Sequence, residues 1–324
     1  MNVERLIQQL RQNKGLRSKR DIQPAAQIFP HQPFPNLGHA ALLGDDAAVL
    51  PAQNGSLLMA CEGMHPTLVA NDPWFAGWCG VLVNLSDIAA MGGRPIAVLN
   101  SIWTRRRGEL ERMQAGMQTA CERFAVPMVG GHSNQQSPYD ALSVAVLGVT
   151  EGPILSARAA EPGDELWWLI NHNGSFYKHY PFWDAATAAP GEQLRDHLAL
   201  LPALAKDKTI HAAKDISMGG ITGTTAMFAE ACGLTITLNR NAIRRPSGVG
   251  ELKWLTCFPS FGFLLAVQPS KTNQLRGHLN RTNNLTYCPI GCFSAGEAGV
   301  FINDGDSTHT LWRSDEGLTG FGCA

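Results

Sequence analysis

Apolar residues recur at helical spacing in two stretches of the chain, residues 3–13 and 109–124, with polar residues between them. The stretch from Trp74 to Met91 is apolar nearly all round, which predicts a helix buried on most of its faces. Alternation from Ala141 to Val149 predicts a strand. The first half reads strand, helix, strand, helix, strand, strand, and the second half is a similar mixture, so we predict the α+β class.

Turn-forming residues divide the chain near its middle. The sequences Glu151-Gly152-Pro153 and Glu161-Pro162-Gly163-Asp164 place a boundary between about residues 151 and 160. We therefore expect two α+β domains, residues 1–155 and 156–324. Residues 21–39 contain four prolines and are expected to form an extended connector, whereas residues 171–190 are expected to be irregular and aromatic-rich.

One carboxylate, Asp87, lies inside the apolar helix predicted from Trp74 to Met91. Burying a lone carboxylate is costly unless it is paired, hydrogen-bonded or bound to a metal. Asp87 therefore needs a partner from elsewhere in the chain. The candidates are Asp45 and Asp46 upstream, Asp215 downstream, and the stretch Gly130-Gly131-His132-Ser133, which we expect to form a glycine-rich turn.

Each candidate also has an ordinary structural explanation. The pair Asp45-Asp46 could be turn residues before a strand, and Glu62, just past a predicted strand, could be a surface residue. Asp215 could cap the helix that Gly219-Gly220 opens, or that helix N-terminus could hold an anion. Lys19 could reach a phosphate from a mobile loop, or lie at a solvated helix end.

Composition argues against several classes of partner. The 324-residue chain has a formal net charge of −1, and its basic cluster is only Arg105-Arg106-Arg107, so we expect no nucleic-acid partner. No apolar run approaches the ~20 residues that span a bilayer, and no signal segment is evident, so we expect no membrane partner. The only close cysteine pair, Cys288 and Cys292, does not make a four-thiolate zinc site, and we expect a reducing, cytoplasmic location.

Taken together, these motifs resemble the superfamily of aminoimidazole ribonucleotide (AIR) synthetase. That superfamily includes thiamine-monophosphate kinase, selenophosphate synthetase and a nitrile-forming hydrogenase maturation protein. The resemblance extends from Gly44 to about Gly296, and its most specific part is Asn71-Asp72-Pro73 followed by residues 84–95. Residues 215–220 resemble the start of the second domain's nucleotide-facing helix.

The resemblance implies two α+β domains and a homodimer whose N-terminal strands join into a barrel. It also implies that ATP binds in a cleft of the dimer with Mg²⁺. Converging carboxylates suit both, because Mg²⁺ prefers oxygen ligands and the ATP phosphates need their charge neutralised. The implied metal ligands are Asp45, Asp87, Asp215 and Glu62, the implied catalytic residues are Lys19 and Asp46, and the implied nucleotide contacts are Gly130, Gly131, His132, Ser133, Gly219 and Gly220.

Several residues depart from the named members. The N-terminal glycine-rich loop lacks the reactive cysteine of selenophosphate synthetase, His132 and Met218 replace aspartates common in the kinase, and Glu62 stands where relatives have aspartate. Cys323 lies in a tail that lacks the form seen in the hydrogenase maturation protein. The chain therefore resembles most an AIR-synthase-related branch.

From this resemblance we expect an ATP- and Mg²⁺-dependent enzyme that acts on a small molecule. It would transfer a phosphoryl group to an oxygen, or activate a carbonyl or amide as a phosphate intermediate. One alternative is thiamine-monophosphate kinase itself, and the other is a nucleotide-binding regulatory protein without catalysis. The acceptor pocket is expected to draw on the second domain and residues 171–190.

Overall fold

The structure is a computed structural model that describes residues 2–28, 44–150 and 152–322. Elements up to residue 150 include a 3₁₀ turn at Ser18–Ile22. The helices and strands of this part are α1 (Val3–Arg11), α2 (Lys14–Arg17), α3 (Gln23–Ile28), β1 (Ala48–Pro51), β2 (Ser56–Gly63), α4 (Pro66–Asn71), α5 (Pro73–Ala90), β3 (Arg94–Trp103), α6 (Arg107–Phe124), β4 (Met128–Asn134) and β5 (Ala141–Thr150).

The five N-terminal strands form one sheet in the order β1-β2-β5-β3-β4, antiparallel except for the parallel pair of β3 and β4. Helix α5 covers one face of the sheet, and α6 packs along α5. Strand β5 alternates buried and partly buried residues because every second side chain points towards α5. On the opposite face, Met59 and Leu99 expose 49% and 47% of their surface.

Local sequence signals fix both ends of helix α5. The side chain of Asp72 caps the helix by accepting the N–H of Phe75 at 3.4 Å, and Pro73 occupies the first turn. The helix ends before Gly92, whose φ of +77° suits glycine. Nearly all of its residues are buried, as the apolar run predicted. Asp87 is therefore held in its last turn, inside the protein.

The second part of the chain has more strands, several of them short. Its elements are β6 (Glu165–Ile170), β7 (Ser175–Phe176), β8 (Phe182–Asp184), α7 (Gly191–Lys206), β9 (Ala212–Asp215), α8 (Gly220–Cys232), β10 (Thr235–Asn239), α9 (Glu251–Leu255), β11 (Phe258–Pro259), β12 (Gly262–Val267), α10 (Thr272–Leu279), β13 (Thr286–Ser294), β14 (Gly299–Asn303) and β15 (Thr308–Arg313).

Seven of these strands form a mixed sheet in the order β15-β14-β10-β13-β6-β12-β9. Both faces are covered, because Trp168 of β6 packs in one cluster with α8 while Trp167 packs in another with α7 and α10. Strands β11, β8 and β7 form a small separate sheet. Strand β9 lies at one edge of the large sheet, so that Asp215 at its end is carried to the side of α5.

The α+β class is confirmed, as are the helices predicted at 3–13, 74–91 and 109–124. The extended connector predicted for residues 21–39 is wrong over residues 21–28, which are helical, and residues 29–39 lie outside the described residues. The segment 171–190 contains β7 and β8. The boundary between about 151 and 160 stays a prediction.

No helix within the described ranges is long and apolar enough to cross a bilayer.

Candidate active site

Six charged side chains predicted as site residues line one cavity of about 240 Å³. They come from separate segments: the turn before β1, the end of β2, the last turn of α5, the end of β9 and the 3₁₀ turn near the N-terminus. The structure therefore brings together residues that are far apart in the chain. These residues are Lys19, Asp45, Asp46, Glu62, Asp87 and Asp215.

Asp87 is buried, with 7% of its surface exposed, and its Oδ2 atom has no hydrogen-bond partner among the described residues. Burial raises the pKa of Asp87 well above its usual value, and the charges of Asp215, Glu62 and Asp46 raise it further. The protein thus holds a carboxyl group in a place where its charge is not balanced. A bound cation would balance this charge, so the position of Asp87 suits a metal ligand.

Asp45 differs from Asp87 because protein donors already surround it. Its Oδ2 accepts the Ser156 hydroxyl at 2.7 Å and the Ala157 N–H at 2.9 Å. Its Oδ1 accepts the Asp46 N–H at 2.9 Å and the Lys214 ammonium at 3.2 Å. Burial opposes the charge, but Lys214 and these hydrogen bonds keep the pKa of Asp45 below its usual value. Asp45 is thus a satisfied, ionised carboxylate.

Asp46 contacts Lys214 through Oδ1 and accepts the backbone N–H of Asp215 through Oδ2 at 3.1 Å. Burial raises the pKa of Asp46, Lys214 lowers it, and the neighbouring charges of Asp215 and Asp45 raise it again. Burial and like charges outweigh the single cation, so we place the pKa above its usual range. A carboxylate of this kind can accept a proton near neutral pH.

Asp215 and Glu62 complete the acidic wall, and Lys19 faces both of them. Burial raises the pKa of Asp215 to about 6, against the opposing charges of Lys214 and Lys19. The pKa of Glu62 is also raised, first by partial loss of water, with Lys19 opposing and Asp46 adding to the shift. The side chain of Glu62 is also exposed to solvent, unlike that of Asp215.

The donor set suits a hard cation, since carboxylate oxygens are the ligands that Mg²⁺ prefers. Across residues 2–28, 44–150 and 152–322, however, no three acidic, histidine or cysteine side chains already surround one point as metal ligands do. Lys214 lies between Asp45 and Asp46, which accounts for part of this arrangement. Asp87, Asp215 and Glu62 would need side-chain adjustment to hold an ion together.

The predicted nucleotide contacts do not line this cavity. The turn predicted at Gly130–Ser133 is wrong, because these residues lie within β4, the exposed edge strand of the N-terminal sheet. A Cβ on Gly131 would lie 2.6 Å from the Asn100 carbonyl oxygen, so close strand approach requires glycine there. Gly220 has a φ of +65°, and a Cβ on it would lie 2.4 Å from the Leu255 carbonyl oxygen. Both glycines therefore have packing roles, and their nucleotide contacts stay predictions.

Sequence reasoning missed Lys214 and the residues near the C-terminus. Lys214 is the one charged residue before Asp215 in an otherwise apolar strand, and that was the available signal. Thr319 and Phe321 also line the cavity. The carboxylate of Glu230 fixes their segment by accepting backbone N–H groups, including that of Thr319 at 2.9 Å. No pattern in the sequence indicates this last contact.

A second cavity, of about 450 Å³, adjoins the acidic one. The two share Glu62, Val83, Met218 and Phe258. Its lining is mostly apolar. The N-terminal segment and the turn after β2 contribute polar side chains to it. The other lining side chains are those of Lys14, Ser18, Met64, His65, Pro66, Leu68, Cys79 and Phe182.

Comparison with known families agrees with this architecture. Residues 44–150 match the AIR synthase related protein N-terminal domain, and residues 161–302 match the AIR synthase related protein C-terminal domain. These matches cover most of the chain. The chain therefore belongs to the AIR synthase related family.

Two relatives and one solved structure illustrate the range of this family. An uncharacterised protein of Synechocystis sp. is 48% identical over 318 residues, which is 98% of each chain. Thiamine-monophosphate kinase of Bacillus subtilis is 31% identical over 133 residues, covering 38% of this chain and 40% of the kinase. PurL of T. maritima, solved in complex with ATP, superposes with a TM-score of 0.68 at 15% identity. The match covers 87% of this chain and 47% of the PurL chain, so the chain spans about half of PurL.

Proposed function

We propose that this protein is an ATP- and Mg²⁺-dependent enzyme that acts on a small molecule. It transfers the terminal phosphoryl group to an acceptor oxygen, or activates a carbonyl or amide as a phosphate intermediate. The observation that carries the proposal is the buried, unpartnered Oδ2 of Asp87 in a cavity with four other carboxylates and Lys19. The family membership and the ATP complex of PurL support a nucleotide as the anionic ligand.

In this proposal Asp87, Asp215 and Glu62 hold Mg²⁺. Bound there, Mg²⁺ would offset the charge of the phosphates and make the terminal phosphorus easier to attack. Asp45 was expected to be a direct ligand, but its four protein donors already use the acceptor capacity of its carboxylate. We therefore assign Asp45 a structural role, in which it does not bind the ion directly.

The chain's own charged residues supply the other tasks. Lys19 lines the same cavity as Asp215 and Glu62, where its ammonium would orient the terminal phosphate. Asp46 accepts the proton that the acceptor hydroxyl releases, since burial and like charges raise its pKa towards neutral. Lys214 and the Asp215 N–H hold Asp46 in one orientation.

We place the acceptor in the second cavity, with its reacting oxygen at the wall shared with the acidic cavity. Phe182, Phe258 and Met64 line it with aromatic and thioether groups, which favour a flat, largely apolar body. Lys14 and His65 lie among the lining residues, where they would contact a polar or anionic substituent.

We also propose a homodimer formed through the open face of the N-terminal sheet. Met59, Leu99 and Val129 are exposed there, and Val129 exposes 62% of its surface. Large exposed apolar faces on soluble proteins usually mark an interface. The nucleotide contact predicted for residues 130–133, on the edge strand β4, depends on this dimer.

The test is ATP binding and turnover with Mg²⁺ across a panel of small alcohols, carboxylates and amides. Wild-type protein should bind an ATP analogue with Mg²⁺ in a calorimeter and release ADP with at least one acceptor. Asp87→Asn should lose the turnover at least 100-fold while its circular dichroism stays unchanged. Unchanged turnover in this variant would sink the assignment, and binding without any turnover would favour a regulatory protein.

Thiamine-monophosphate kinase is the specific alternative, favoured by the local similarity to the Bacillus subtilis enzyme. That similarity is confined to 38% of the chain, and His132 and Met218 depart from the kinase pattern. A direct assay with thiamine monophosphate decides between the two. Formation of the diphosphate at a rate above every other acceptor would establish this alternative.

A further inference from the structure

Lys214 is a buried lysine in the acidic cavity, with 5% of its surface exposed. It lies on β9, directly before Asp215, and its Nζ is 3.2 Å from Oδ1 of Asp45. The same ammonium also contacts Oδ1 of Asp46. One protein cation therefore bridges two carboxylates at the back of the proposed metal site.

Lys214 is paired with two carboxylates of the cavity. Its ammonium contacts Oδ1 of both Asp45 and Asp46, so each of these acids has a protein cation beside it. Asp45, Asp46, Glu62, Asp87 and Asp215 face only Lys19 and Lys214 as cations among the lining residues. If all of these groups were ionised, five negative charges would face two positive ones, so the lining would carry a net charge of −3.

The excess negative charge is not shared equally by the five carboxylates. Asp45 has four protein donors, and Asp46 has Lys214 and the Asp215 N–H. Asp87, in contrast, has its Oδ2 buried with no partner in the described part of the chain. Asp45 and Asp46 thus share a protein cation, while Oδ2 of Asp87 has no donor in the described part of the chain.

We propose that Lys214 permanently takes the place of one metal ion at Asp45 and Asp46. Metal binding is then confined to the side of the cavity formed by Asp87, Asp215 and Glu62. Lys214 is in this sense a positioning residue, because it fixes Asp45 and Asp46 without contacting substrate. The inference rests on the proposed metal site, but it concerns how many ions that site takes.

The number of bound ions tests this directly. Mn²⁺ is titrated into wild type, Lys214→Met and Lys206→Met, and free Mn²⁺ is followed by its electron paramagnetic resonance signal. Methionine keeps the unbranched shape of lysine without the charge, and Lys206 is an exposed lysine outside both cavities. Wild type and Lys206→Met should bind the same number of ions, and Lys214→Met should bind one more per chain.

Removal of Lys214 leaves Asp45 and Asp46 buried without a cation, which is strongly destabilising. Thermal unfolding is therefore measured with and without Mn²⁺. The proposal predicts that Mn²⁺ raises the midpoint of Lys214→Met more than that of wild type, or is required for this variant to fold. An unchanged ion count in folded Lys214→Met, or a variant unfolded at every Mn²⁺ concentration, would overturn it. Absence of Mn²⁺ binding in wild type would instead overturn the metal site and, with it, this inference.

Discussion

Gly116 of α6 packs directly on the backbone carbonyl of Trp74 of α5. A Cβ at position 116 would lie 1.9 Å from that oxygen, a distance no side-chain carbon can adopt. One turn along, a Cβ on Gly77 would lie 2.1 Å from the Met113 carbonyl oxygen. Two reciprocal glycines thus set the separation of the helices. Because α5 also carries Asp87, this spacing positions the candidate site.

Gly116→Ala should therefore cost about 3 kcal/mol or more of unfolding free energy, since overpacking against backbone forces the helices apart. Gly108→Ala is the matched control, because Gly108 lies in the same helix with no atom within 4 Å of the added carbon. It should gain about 0.5–1 kcal/mol from higher helix propensity. Urea unfolding measures both, and equal effects at the two positions would refute the argument.

Asp87→Asn should stabilise the metal-free protein while it removes function. The substitution removes a carboxyl group whose ionisation is opposed first by burial and then by the charges of Asp215 and Glu62, and removing that cost is worth about 1–3 kcal/mol. Asp164→Asn is a contrasting control, because buried Asp164 pairs with His211 at 2.8 Å and should lose stability instead. Thermal unfolding without Mg²⁺ shows whether each variant is more or less stable than wild type. A destabilised Asp87→Asn would mean that its carboxylate has a partner after all.

Lys19→Met should weaken ATP turnover about 10- to 100-fold, which corresponds to the loss of one charge-assisted hydrogen bond. Lys19 faces Asp215 and Glu62 inside the cavity, so the loss should appear in both kcat and KM for ATP. Arg17→Gln, two residues away on α2 and exposed, is the control that should keep wild-type kinetics. Equal kinetics for the two variants would remove Lys19 from the mechanism.

Local sequence signals predicted the long helices α1, α5 and α6, because each signal acts within a few residues. Helix α5 begins and ends at the cap Asp72, the proline Pro73 and the glycine Gly92, all of which are readable in the sequence. The part of strand β4 from Gly130 to Ser133 was wrongly predicted as a turn for the opposite reason. The glycines at 130 and 131 serve close contact with the neighbouring strand, and that contact is invisible until β3 and β4 are paired.

The acidic residues and Lys19 of the candidate cavity were predicted from the sequence, whereas Lys214 and most of the contacts were not. A carboxylate in an apolar helix indicated that Asp87 needed a partner, and the cavity brings the expected acids to it. The pairing of Lys214 with Asp46 joins residues 168 positions apart, so no periodicity or local motif could reveal it. The same holds for Glu230, which binds the backbone near Thr319.

His211 should give the protein a stability component that depends on pH. Its hydrogen bond to Asp164 raises the pKa of His211 against the effect of burial, with the charges of Asp164 and Glu161 adding to the shift. Because the folded pKa exceeds the unfolded value of about 6.5, the stabilisation is complete below that pH. It is lost as pH rises through the folded pKa.

The difference in unfolding free energy between wild type and His211→Gln should thus shrink by up to about 1 kcal/mol from pH 6 to pH 8. His197 is a sign control, since burial lowers its pKa. The folded state disfavours protonation of His197. The difference in unfolding free energy between wild type and His197→Gln should therefore grow as pH rises towards 6.5. Denaturant unfolding at several pH values measures how each difference changes with pH. If the two differences changed with pH in the same direction, the pKa shifts assigned to His211 and His197 would be wrong.

Charge on the open face of the N-terminal sheet should abolish the proposed dimer. Leu99 lies on β3 opposite Ala145 of β5, in the middle of that face. Leu99→Glu places like charges of two copies against each other in an apolar contact, which is costly to bury. Sedimentation velocity should show a dimer for wild type and a monomer for this variant. Tyr139→Glu is the control, because Tyr139 is 61% exposed but lies in the loop between β4 and β5. If both variants stayed dimeric, the dimer would use another surface, and the nucleotide contact predicted for residues 130–133 would lose its basis.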